Sequence, residues 1–218
     1  MAVTIGGPGS VTHAAACDTC AARADAKWKR HIWQRTMDEA RQGGYISQDT
    51  YLFCQFTKLD PAKEHSLKAS DFARGFARMK KPQNVFFYGP TGTGKTTLAR
   101  CILSSCVPAL TVSEMTAADL TFALRMFSER RISRHYTDVM LIDDVNHVEP
   151  HALQALLLAV RAREKKSTIY TANCSPAELR RQFSAMSGND PSVADAILSR
   201  FNPCEVFEIV GKDLRKGI

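Results

Sequence analysis

The sequence predicts an α/β fold in which a parallel five-stranded sheet is flanked by helices. Three observations carry that prediction. The first is Gly89-Pro90-Thr91-Gly92-Thr93-Gly94-Lys95-Thr96, a full match to the phosphate-binding pattern G-x-x-x-x-G-K-[ST], set between an apolar run and a helical pattern. The second is the alternation of short apolar runs with helical periodicity from residue 84 onward, the layout of parallel strands joined by crossover helices. The third is Val139-Met140-Leu141-Ile142-Asp143-Asp144. A strand buried on both faces has such a continuous apolar run, and its terminal acids then fall at the sheet edge where ligands bind.

The elements follow in order. Residues 1–16 are rich in Gly, Ala, Ser and Thr and read as a tail. A helix is expected over Ala21–Gln42, with Trp28, Ile32, Trp33, Met37 and Ala40 forming a partial apolar face, and Gly43-Gly44 stopping it. Tyr45, Ile46, Tyr51, Leu52, Phe53 and Phe56 mark a segment that packs on something, and Pro61–Lys80 reads as a second helix with Leu67, Phe72, Phe76 and Met79 on one side. Strands are expected at Asn84–Tyr88, Ala109–Val112, Asp138–Ile142, Ser167–Thr171 and Cys204–Ile209. Helices are expected at Thr96–Ser105, Thr116–Arg131, His151–Arg163, Pro176–Phe183 and Ser192–Arg200. The chain divides into a tail and helix over 1–44, a candidate for partner binding, and a domain over 45–218.

Composition narrows the class. Of 218 residues, 44% are hydrophobic and 23% charged, as in ordinary globular proteins. No apolar stretch is long enough to cross a bilayer and the N-terminus lacks a signal-peptide layout, so a cytoplasmic protein without a membrane partner is expected. Seven cysteines, mostly in periodic apolar segments, suit reduced thiols. The net charge of +7 is compatible with nucleic acid, and the basic residues cluster as Arg130, Arg131 and Arg134, and as Arg161, Arg163, Lys165 and Lys166. The first cluster could bind nucleic-acid phosphate or be a solvated helix end.

The motifs define a nucleotide chemistry. Glycines let backbone N–H groups turn inward around a phosphate chain, and the following helix N-terminus adds positive potential there. Gly89, Pro90, Thr91, Gly92, Thr93, Gly94, Lys95, Thr96 and Thr97 are the candidate nucleotide-binding residues. Lys95 would reach the terminal phosphates of ATP, and the Thr96 hydroxyl would bind Mg²⁺. Asp143 would hold the same Mg²⁺ through its water shell, and Asp144 would polarise the attacking water; the alternative is an acidic helix cap. Asn173, at the end of Ser167–Asn173, could contact the γ-phosphate or the water, or simply cap a turn. Arg200 ends a helix as a surface charge or as an arginine finger. Cys17-Asp18-Thr19-Cys20 could bind zinc with His13 and His31, but there is no second C-x-x-C and His31 lies in a helical pattern, which favours two free thiols.

Taken in order, these segments resemble the AAA+ ATPases, and within them the DnaC/IstB group of helicase loaders and transposition ATPases. Tyr88–Thr96 resembles the group's Walker A motif and Leu141–Val145 its Walker B motif. Ser167–Asn173 is similar to its sensor 1 segment, and Ile197-Leu198-Ser199-Arg200-Phe201 to the segment carrying its arginine finger. Val210-Gly211-Lys212-Asp213-Leu214-Arg215 resembles its closing signature. The resemblance implies a P-loop ASCE fold without a C-terminal lid domain, places Arg215 near the nucleotide, and makes Arg200 serve a neighbouring subunit of a homo-oligomer in the ATP state. The chain departs from the group in its Asp-Asp pair, in Ala172 and in Leu214.

The function expected first is a DnaC-like helicase loader that hydrolyses ATP, grips a DnaB-like replicative helicase through the N-terminal helix and holds single-stranded DNA. The alternative is an IstB-like ATPase that works with a transposase on duplex DNA. A non-hydrolysing ATP switch and a small-molecule P-loop kinase rank below these. Asp143-Asp144 on a strand separate from the phosphate loop argues against the kinase.

Overall fold

The structure is a computed structural model and describes residues 18–53, 67–79, 81–119, 137–201, 204–211 and 213. Three helices come first: α1 (Asp18–Gln42), α2 (Gln48–Phe53) and α3 (Leu67–Phe76). The α/β alternation follows as β1 (Asn84–Tyr88), α4 (Lys95–Cys106), β2 (Val112–Thr116) and β3 (Val139–Asp143). Two short 3₁₀ turns lead to α5 (Leu153–Arg161), then β4 (Ser167–Ala172), α6 (Pro176–Met186), α7 (Pro191–Ser199) and β5 (Cys204–Glu208). The five strands form one parallel sheet in the order β2-β3-β4-β1-β5. The expected fold is therefore the observed one.

Strand alternation splits the core into two layers. Val85, Phe87, Val139, Leu141 and Ile169 point to the face covered by α1, α3 and α4. Phe86, Met140, Ile142 and Tyr170 point to the face covered by α5, α6 and α7. Both layers are dry, with Phe86, Phe87, Leu141, Ile142 and Tyr170 at most 1% exposed. Tyr170 stacks on Phe201 with ring centroids 3.9 Å apart, which fixes the chain just past α7 against the sheet.

Helix ends follow local chemistry. Ser175 caps α6 in a full capping box with Glu178, and Pro176 occupies the first turn where no N–H is needed. Asp190 accepts from the Ser192 N–H to start α7, again before a proline. Helix α1 ends at Gly43-Gly44, as expected, with Tyr45 N–H donating back to Ala40 O at 2.8 Å. Its second half packs on α4: Met37 is fully buried and the Trp33 indole donates to Ser104 O at 2.9 Å.

Two expectations need correction. The second strand was expected at Ala109–Val112, but β2 runs over Val112–Thr116. Residues 107–110 instead form the turn after α4. The polar residues of β2 are satisfied from far away. Ser113 hydrogen-bonds the Thr137 hydroxyl at 2.7 Å. Glu114 accepts from Thr50 Oγ1 at 2.7 Å, from Arg100 Nε at 3.3 Å and from Ser47 N–H. The Glu114 N–H donates to Tyr45 O at 2.7 Å, so the segment after α1 covers the open edge of the sheet.

The second correction concerns the basic cluster at 161–166. Arg163 is not a surface charge: it is 2% exposed and donates to Thr168 Oγ1, Thr137 O and Ser167 O at 2.9, 3.0 and 2.6 Å. Burial lowers its pKa to about 10, which leaves it charged at neutral pH. Lys166 pairs with Asp138 at 3.2 Å, so Arg161 and Lys165 are the exposed cations of that stretch. Of the helix expected over Thr116–Arg131, residues 117–119 begin a helix, and the rest lies outside the described residues, as do Arg130, Arg131 and Arg134.

Candidate functional site

Helix α4 begins directly at the phosphate loop. Its N-cap, Gly94, has φ 92° and supplies no side-chain cap, so the first N–H groups of the helix stay available to an anion. Gly89 (φ 140°) and Gly92 (φ 83°) also adopt backbone conformations that favour glycine. A Cβ on Gly89 would lie 2.2 Å from Ile209 O, and one on Gly92 would lie 1.9 Å from Asp213 Oδ1. The chain after β5 is therefore pressed against the start and the middle of the loop, and Ile209 N–H donates to Tyr88 O at 2.7 Å.

Lys95 is 5% exposed, and its ammonium donates to Gly89 O and Pro90 O, both at 2.8 Å. The side chain thus folds back over the loop that its own backbone closes. Thr93 Oγ1 donates to Pro90 O at 2.9 Å, while Pro90, Thr91 and Thr97 are exposed. These features fit a triphosphate: a glycine turn, an uncapped helix start and a buried ammonium belong to one loop.

The acids of β3 lie at the same sheet edge. Thr96 Oγ1 donates to Asp143 Oδ1 at 2.9 Å, which brings together the two residues expected to share Mg²⁺. A hydroxyl and a carboxylate in contact, with the carboxylate 7% exposed, match the oxygen chemistry of that ion. Asp144 follows with φ 54° and ψ 49°, a left-handed conformation uncommon outside Gly, Asn and Asp. Its carboxylate is 40% exposed and stands 4.0 Å from His147 Nδ1.

Thr171 on β4 ties these acids together, and it was missed in the sequence. Its hydroxyl donates to Asp143 Oδ1 at 2.5 Å and accepts from Asp144 N–H at 2.8 Å. Thr171 is fully buried, so no water substitutes for either bond. One hydroxyl therefore orients the Asp143 side chain and holds the Asp144 backbone in its left-handed turn. The available signal was position: Thr171 is the polar residue of β4 that comes two residues before Asn173.

Strand β4 lies between β1 and β3, which puts Asn173 between the phosphate loop and the acids. Asn173 is half-buried, and its N–H donates to Asn146 Oδ1 at 2.9 Å. Asn146, 8% exposed in the turn after Asp144, is a second residue that sequence reasoning missed.

Arg200 lies at the opposite edge of the sheet. Asn84, at the start of β1, donates through Nδ2 to Arg200 O and Phe201 O at 3.4 and 3.0 Å. The phosphate loop begins after the other end of β1, five residues away or roughly 16 Å of strand. The Arg200 guanidinium reaches Ala196 O at 2.6 Å and Glu164 Oε1 at 3.4 Å, where Glu164 lies in the turn before β4. The sheet thus separates Arg200 from the phosphate loop of its own chain.

Arg215, His13 and Cys17 lie outside the described residues, as does the Cys20 side chain. His31 is exposed on α1. No group of three or more potential metal-binding His, Cys, Asp or Glu side chains occurs among the described residues. Among them, too, no helix is long and apolar enough to cross a membrane.

No curated protein matches this sequence. Solved structures share the fold. DnaI aligns with a TM-score of 0.62 at 18% identity, covering 78% of this chain and 95% of that one. The DnaC helicase loader aligns with a TM-score of 0.60 at 17% identity, covering 75% of this chain and all (100%) of that one. Domain III of the Thermotoga maritima replication initiation protein DnaA aligns with a TM-score of 0.58 at 21% identity, covering 77% and 70%. The family described as IstB-like ATP binding protein matches residues 21–217, which takes in α1, the phosphate loop, both acids and Arg200. With this match extending over nearly the whole chain, the protein belongs to the IstB-like ATP-binding family of AAA+ ATPases.

Proposed function

We propose that this protein is an ATP-hydrolysing, self-assembling ATPase of the IstB type that acts on duplex DNA together with a transposase. The family match over residues 21–217 carries this reading, and it ranks the transposition function above the helicase loader expected first. The site supports hydrolysis. Lys95 and the N–H groups of the loop and of α4 bind the phosphates, while Thr96 and Asp143 hold Mg²⁺. Bound Mg²⁺ supplies Lewis-acid stabilisation of the transferred phosphoryl group. Asp144, half-buried and next in the chain to Asp143, orients the attacking water and takes its proton, and Asn173 fixes the position of that water. Arg200 completes the site of the next subunit, where its guanidinium neutralises developing charge. Its separation from its own phosphate loop by the length of β1 supports action between subunits. The likeness of residues 210–215 to the group's closing signature supports a role for Arg215 as a further cation for the nucleotide.

A helicase-loading function is the second reading, supported by fold similarity that spans 95% and 100% of DnaI and DnaC. The two readings separate by substrate and partner. Phosphate release should be stimulated more by duplex than by single-stranded DNA, and a slowly hydrolysed ATP analogue should drive assembly on duplex and capture of the cognate transposase. Stimulation confined to single strands, with capture of a DnaB-like helicase instead, would replace the first reading by the second. Phosphate release without any phosphorylated acceptor also separates both from a kinase, and turnover itself separates them from a passive switch.

A further inference from the structure

Helix α1 has two unlike halves. The second docks on the ATPase body through Met37 and Trp33. The first stands off it: every residue from Ala22 to His31 is exposed, a rod of about 15 Å at 1.5 Å per residue. This stretch carries Arg23, Lys27, Lys29 and Arg30 against one acid, Asp25. Asp25 is taken by Lys29 at 2.7 Å. The next cation along the helix, Arg35, pairs with Glu39 at 3.0 Å. Arg23, Lys27 and Arg30 form no ion pair with a described residue.

Those three recur at i, i+4 and i+7 and so share one side of the rod. They span about 10.5 Å along its axis, close to three base-pair steps of 3.4 Å. An apolar docking face is missing from the same stretch, because its apolar residues are small alanines and Trp28 alone. Trp28, 62% exposed, lies on another side of the helix. A convex cationic rod of helical width matches the major groove of a duplex, about 12 Å wide, whereas single strands are held in grooves lined with aromatic platforms.

We propose that the projecting half of α1 is an arm that binds the phosphate backbone of duplex DNA through Arg23, Lys27 and Arg30. The proposal rests on the reading of the protein as an ATPase of duplex DNA, and it moves the DNA contact away from the arginines at 130–134.

The test is the salt dependence of binding to a labelled duplex by the full chain, read by fluorescence anisotropy. For Arg23→Gln/Lys27→Gln/Arg30→Gln, the slope of log affinity against log salt should become shallower by about 2.7, and affinity near 0.1 M salt should fall roughly 500-fold. A control, Arg161→Gln/Lys165→Gln/Arg181→Gln, removes equal charge from exposed positions elsewhere and should leave the slope unchanged. DNA-independent ATP turnover should match wild type in both. An arm variant with the wild-type slope overturns the proposal, as does a control that loses as much. So does an unchanged slope with lost transposase capture, which would make the arm a site for an acidic protein. A wild-type chain that turns over ATP yet ignores duplex in every nucleotide state overturns the arm while leaving the ATPase reading intact.

Discussion

Replacing Thr171 by valine keeps the shape and removes only the hydroxyl that joins the two acids. In the native protein this hydroxyl donates to Asp143 at 2.5 Å and accepts from Asp144 N–H at 2.8 Å, in a fully buried position. A hydrogen bond to a charged group contributes about 1.5–3 kcal/mol, and a buried N–H left without an acceptor costs about 1–3 kcal/mol. Together they predict a loss of roughly 3–5 kcal/mol, or about 6–20 °C in melting temperature for a chain of this size. The catalytic effect is separate. Without its acceptor, Asp144 is no longer held in the left-handed turn, and its carboxylate leaves the position from which it is proposed to orient water. Thr171→Val should reduce kcat by roughly 10–100-fold, the equivalent of about 1.4–2.8 kcal/mol. Nucleotide affinity should stay within about threefold, because Lys95 and the loop are untouched. Thr171→Ser should recover most of both losses. The assays are phosphate release, equilibrium nucleotide binding and thermal unfolding. A valine variant with wild-type kcat and a melting temperature unchanged within about 2 °C would refute the reasoning.

Three further outcomes follow from the geometry. Gly89→Ala should destabilise the protein and abolish nucleotide binding, because its Cβ meets the Ile209 backbone. Gly92→Ala meets the movable Asp213 carboxylate and should cost less, about 1–2 kcal/mol of backbone strain; denaturant titration and nucleotide binding rank the two. Arg163→Met should cost roughly 2–4 kcal/mol in denaturant titration by stranding the carbonyls of Thr137 and Ser167, yet leave DNA affinity unchanged, since this cation is internal. Burial pushes the Cys106 and Cys204 thiols up to about 12, so both should resist alkylation at pH 8 in the native state and react after unfolding, as mass spectrometry of the labelled peptides would show.

Legibility in the sequence tracked the locality of the cause. The phosphate loop, β1 and α4 follow from short-range chemistry, and their expected bounds agree with the structure within a residue. Strand β3 was legible because four consecutive apolar residues are buried on both faces before Asp143. Strand β2 was not, because Ser113 and Glu114 break its apolar pattern. Their partners Thr137, Thr50 and Ser47 lie 24 to 67 residues away and are brought near only by the fold. The same holds for Arg163, whose carbonyl partners just before β3 and at the start of β4 turn an apparent surface charge into a core residue. At the site, Asp143, Asp144 and Lys95 were legible as motif positions, whereas Thr171 and Asn146 act through contacts 27 or 28 residues apart.

The most direct measurement is complementation between two crippled subunits. Lys95→Ala removes the ammonium from the phosphate loop but keeps Arg200, and Arg200→Ala keeps the loop but lacks the guanidinium. Each alone should release phosphate at no more than about one-hundredth of the wild-type rate, in line with the loss of a key electrostatic contact. Mixed in equal amounts, they should recover a substantial part of the activity, because intact loops then meet intact arginines across subunit contacts. Full-speed turnover by Arg200→Ala alone, or a mixture as inactive as its parts, would contradict an ATP site completed by a neighbouring copy.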